Sequence, residues 1–199
     1  VQTGTTWSFT TMRALPTVST TEWRFGDKSP ADDAPVHAAH GSSPLTPSGM
    51  SQGTDWSLEM TDGFVVPHIN GRSARYIQLN TVYGANRGLE VVLDAPGNGD
   101  GWLKDFTIVW DLYVEPASTT GHQALWQGND TNSNQSELQL DCDTGGFWLN
   151  GGTGLIGEDL WPKGAWFRLA HRVDYSAGTS ALFVDGVEVL GDDVLGAPD

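Results

Sequence analysis

The chain has 199 residues, enough for one domain with a real core or for one domain plus an arm. Its net charge of −15, with Lys28, Lys104 and Lys163 as the only lysines, argues against nucleic acid and against docking on anionic membranes, both of which demand a basic face. Cys142 is the sole cysteine, which rules out an internal disulfide and a zinc site built on several thiolates, and no apolar run is long enough to span a membrane as a helix.

With 25 glycines, 10 prolines and only 18% charged residues, the composition favours short strands joined by turns over helices. The opening TTWSFTT (5–11) alternates Trp7 and Phe9 against Thr and Ser, and resembles the last strand of a fibronectin-like or immunoglobulin-like module; an N-terminal arm or edge strand is the equal alternative. Residues 12–21 then form a linker, and the main domain runs over 22–199. WRF (23–25) reads as a strand. The Pro-rich stretch 26–53 has no periodicity and reads as a long loop.

Strands are expected over 55–60, 64–69, 74–80 and 88–94. The strongest pattern is FTIVWDLYVE (106–115), where Phe106, Ile108, Trp110, Leu112 and Val114 share one face. HQALWQG, SELQLDCD and GGFWLNG follow as meandering strands, then WFRLAHRVDY (166–175) and SALFVDGVEVL (180–190), with Asp185-Gly186 as a hairpin turn. No amphipathic helix longer than a turn or two is expected. About ten short strands in one domain imply two packed antiparallel sheets.

WFRLAHRVDYSAGTSALFVDGVEV (166–189) resembles the laminin G-like domains of the concanavalin A-like lectin and glucanase superfamily. FTIVWDLYV is similar to the group's central strand, and LWQGND with ELQLDCDTGGFWL to its next hairpins. The resemblance implies an all-β, two-sheet antiparallel jelly-roll sandwich. It also implies an extracellular or cell-surface setting in a modular protein. Domains of this group continue past the Asp-Gly hairpin with a returning strand. The expectation is therefore that this chain alone is an incomplete sandwich, either cut from its parent or completed by a second fragment or a partner.

Three kinds of site compete. On SELQLDCD, alternation places Leu138, Leu140 and Cys142 on one face and Glu137, Gln139, Asp141 and Asp143 on the other. Glucan-cleaving members of the superfamily carry Glu-x-Asp-x-Glu at this spacing. Here Gln139 replaces the middle carboxylate and the shorter Asp141 replaces the last, so a glycoside hydrolase acting through Glu137 and Asp141 is the alternative reading. A solvated strand face is preferred, a ligand or cation platform is the other alternative, and any ligand is expected nearer 128–134 and the rim tryptophans. No Gln-x-His pair for lyase chemistry occurs, and His37 and His40 read as solvated loop residues.

Calcium wants several oxygens converging from a turn. Asp94, Asn98 and Asp100 in DAPGNGDG are the first choice, with 128–134 and 26–33 as alternatives, and the laminin G-like resemblance strengthens the expectation of a rim calcium. Sugar binding needs aromatic faces beside planar polar groups. Trp126, Trp148 and Trp161, for each of which taken singly the core is the preferred place, join Asn129, Asp130, Asn132 and Asn150 as the expected binding rim; Trp110 and Trp166 read as core. The preferred function is a non-catalytic binding or adhesion module for glycan or a surface partner. A structural spacer is the remaining possibility.

Overall fold

A computed structural model describes residues 45–79, 88–91, 105–118, 121–126, 137–149 and 154–194, and every regular element among them is a β-strand. In chain order these are β1 (Leu45–Ser48), β2 (Trp56–Met60), β3 (Arg75–Leu79), β4 (Gly88–Val91), β5 (Asp105–Tyr113) and β6 (His122–Trp126). There follow β7 (Leu138–Asp141), β8 (Gly146–Leu149), β9 (Gly154–Ile156), β10 (Trp166–Asp174), β11 (Thr179–Val184) and β12 (Val187–Val194). All pairings between these strands are antiparallel. One four-stranded sheet has the order β12-β11-β10-β5 and another the order β6-β7-β8-β9, while β2-β3 and β1-β4 form two-stranded ribbons.

The two larger sheets share one apolar core, giving the protein the character of a β-sandwich. Period-two alternation turns Phe167, Leu169, His171 and Val173 of β10 inward, and Leu182 and Val184 of β11 join them. From the other sheet come Leu138, Leu140, Cys142, Phe147, Leu149 and Ile156, all buried in the same cluster. Each fully buried Leu or Phe contributes roughly 1.5–3 kcal/mol. A register shift in β6 between Ala124 and Trp126 turns two successive residues, Leu125 and Trp126, toward this core. The β11–β12 hairpin turns as its sequence demands, with positive φ at both Asp185 (49°) and Gly186 (81°).

Three segments depart from expectation. Residues 45–48 lie inside the stretch read as loop, yet pair with β4; a four-residue strand containing Pro47 carries too little alternation to be seen. β9 escaped for the same reason, being only three residues long. Residues 64–69, expected to be a strand, instead curl. One oxygen of Asp62 accepts the backbone N–H groups of Phe64, Val65 and Val66 at 2.8, 2.9 and 3.1 Å, and Gly63 takes φ 79°. That capture overrides the strand preference of Phe-Val-Val, and leaves Phe64 at the loop tip 94% exposed.

Trp166 also differs from its core assignment. It lies on the outward phase of β10, half-buried, donating Nε1–H to the Pro67 carbonyl at 2.7 Å. Its ring meets Tyr76 and Tyr113 at centroid distances of 6.1 and 5.6 Å, and the Tyr113 hydroxyl donates to the Val65 carbonyl at 2.9 Å. These aromatics fasten the 62–68 loop and the β2–β3 ribbon to the outer side of β5 and β10.

Candidate functional site

Because Leu138, Leu140, Phe147 and Leu149 point into the core, their neighbours Gln139, Asp141 and Trp148 take the other face of the β6–β9 sheet. The ladder then sets Ala124, Gln139, Trp148 and Leu155 side by side in one row across four strands. His122, Asp141 and Gly146 form the adjacent row. The His122 ring lies 5.2 Å from that of Trp148, tilted by 37°. Trp148 is half-buried, while His122 and Leu155 are exposed. An indole, an imidazole and a primary amide thus meet on one strand-built face.

Asp141 is spent on the β7–β8 turn. One oxygen accepts the N–H of Asp143 at 3.0 Å and of Thr144 at 3.3 Å; the other accepts the Thr144 hydroxyl at 2.8 Å. Burial raises its pKa, but the Thr144 hydroxyl, the two amides and the nearby His122 outweigh that and hold it below the ordinary carboxylate value. A carboxyl so held is an acceptor rather than a proton donor. Glu137 is wholly buried and Asp141 nearly so, which corrects the expectation of a solvated acidic strand face; only Asp143 of the row is exposed. Alternation assigned the face correctly but could not show what covers it.

Beyond that turn lies a cleft of about 550 Å³, bounded by Asp143, Thr144, Asp159, Trp161, Pro162 and Lys163. The Lys163 ammonium is committed to backbone, donating to the Cys142 and Ser118 carbonyls. Nothing in the sequence spacing of this lysine or of Asp159 ties them to the turn between β7 and β8.

Of the expected rim, Trp148 alone lies on the outward face among the described residues. Trp126 meets Phe106 in a T-shaped contact at a centroid distance of 5.3 Å and belongs with the core. Trp161 is 4% exposed, stacked on Phe167 (5.6 Å, 14°) with its Nε1–H on the Gly146 carbonyl at 2.7 Å. The rim reading of Trp161 is corrected accordingly: it is a loop residue before Pro162, but its indole folds inward. Asn129, Asp130, Asn132 and Asn150, and the calcium candidates Asp94, Asn98 and Asp100, lie outside the described residues.

No family model, curated protein or solved structure matches the chain. Among the described residues no group of three or more His, Cys, Asp and Glu side chains could hold a metal ion, and no helix is long and apolar enough to cross a membrane.

Proposed function

We propose that the protein is a non-catalytic binding module of the laminin G-like type, a jelly-roll sandwich acting outside the cell or at its surface, and that it recognises glycan through the outer face of the β6–β9 sheet. The observation that carries this is the packing of Trp148 against His122, in a row with Gln139 and Leu155. Sugar rings present apolar C–H faces and planar arrays of hydroxyls. An indole face beside an amide and an imidazole answers both. The engagement of both Asp141 oxygens within a turn supports binding over hydrolysis.

The test is retention on a panel of immobilised neutral polysaccharides, with W148A as the variant. Retention of the wild type, lost in W148A while the far-UV spectrum is unchanged, supports the reading. Equal retention of both proteins removes Trp148 from the site, and release of reducing ends would establish the hydrolase alternative. The same proposal places a calcium ion on Asp94, Asn98 and Asp100. Chelation should then lower the thermal midpoint, and an unchanged midpoint counts against the ion.

A further inference from the structure

His171 occupies the middle of β10, directly between Ile108 of β5 and Leu182 of β11. Its phase is that of Phe167, Leu169 and Val173, so the alternation of the strand asks for a hydrocarbon there. The side chain is 0% exposed, and neither ring nitrogen has a hydrogen-bond partner. Ser180 lies diagonally across on β11, is also buried, and its Oγ is unpartnered too. Leaving such groups unsatisfied is destabilising. A leucine at position 171 would remove both unpartnered ring nitrogens.

Among the described side chains, the charges around it offer no relief. Arg168, Arg172 and Asp174 alternate to the outer face of β10, as do Asp105 and Asp111 on β5, and β11 has no titratable residue. β12 places Asp193 opposite Ser180 in register, one strand removed from β10. On the facing sheet, Glu137, Asp141 and His122 lie on the outward phase. Among the described residues, the titratable group that this sheet turns inward is the Cys142 thiol, which burial pushes up and keeps neutral.

We propose that His171 is an acid-triggered latch: a proton added to it inside the folded sheet has no partner among the described residues, so acid opens the sandwich at its central strand. Burial alone holds the folded imidazole down at about 4, against an ordinary value of 6.5. As pH falls below about 6.5 the unfolded chain takes up the proton first. The stability that His171 contributes is therefore complete above that pH, lost progressively down to about 4, and not lost further below. Each pH unit within the window raises the unfolding constant by up to about tenfold, and the whole window by roughly 300-fold.

The experiment is urea unfolding of the full chain at steps between about pH 5 and 7.5, above most carboxylate titration, for wild type, H171L and S180A. A wild-type and S180A midpoint that falls over this range, against a flat one for H171L, supports the latch; parallel profiles of wild type and H171L overturn it. Imidazole nitrogen shifts of the folded wild type give a readout independent of whether H171L folds. His171 still neutral at about pH 5.5 supports the proposal, and titration near the ordinary value overturns it.

Discussion

Trp161 donates its indole N–H to the Gly146 carbonyl at 2.7 Å while its ring lies nearly parallel to that of Phe167. One side chain thus ties the start of β8 to β10 of the opposite sheet. Truncation to Ala removes both connections and leaves a large void. W161A is expected to lose about 3–5 kcal/mol in denaturant unfolding. W161F retains the stacking but orphans a buried carbonyl, and should lose about 1–3 kcal/mol.

Gly146 is the complementary test of the same junction. A Cβ there would collide with the Gly157 carbonyl oxygen and stand 2.7 Å from that of Ile156. Both are backbone atoms of the β9 region, which no rotamer change can move. G146A is expected to destabilise by about 1–3 kcal/mol, the usual scale for overpacking, and to do so although Ala suits a strand no worse than Gly. A thermal midpoint equal to wild type would show that β9 sits further away.

These junctions explain what could be read from the sequence and what could not. The strands with unbroken alternation, β5 and β10 above all, were legible because period two reports directly which side chains face the core. So was the Asp185-Gly186 hairpin, whose two positive φ values few other pairs accept. The curl at 62–66 was not, because Asp62 acts through its own backbone neighbourhood while Phe64, Val65 and Val66 all signal strand. Trp161 and Trp166 were misplaced for a related reason. Their destinations, the Gly146 and Pro67 carbonyls, are 15 and 99 residues away. The platform around Trp148 was half legible: its phase followed from alternation, but its neighbours His122 and Leu155 depend on strand order.

Asp62 makes the curl testable. Its pKa is lowered chiefly by the Phe64 amide, partly opposed by desolvation, and lowered further by the Val66 and Val65 amides. D62A should accelerate amide hydrogen exchange at 64–66 while leaving exchange in β10 and β11 unchanged. Unchanged protection at 64–66 would mean that the Tyr113 and Trp166 contacts fix the loop without the carboxylate.

Asp141 supplies a pH dependence of opposite origin to that of His171. Its folded pKa lies below the ordinary 3.8, so the stability it contributes is present above that value and is lost as pH falls through the folded pKa. D141N keeps one acceptor oxygen but loses the charge. Its stability should fall less steeply than that of wild type below about pH 4, where ordinary carboxylates protonate. Equal slopes would show that the turn holds the protonated acid as well as the carboxylate.

Arg168 and Asp111 face each other across β10 and β5 in a two-pronged pair, Nε and Nη2 each donating at 2.7 Å. Geometry this good invites the inference of strong stabilisation, and the Asp111 hydrogen bond and charge do raise the guanidinium's pKa. Yet the two side chains are 63% and 49% exposed, so water and salt screen the attraction, and removing either group leaves no uncompensated buried charge. A double-mutant cycle with R168A and D111A should give a coupling of about 0.2–1 kcal/mol that shrinks in molar salt. A coupling above about 2 kcal/mol that persists in salt would require the pair to be covered in the folded protein by another part of the chain.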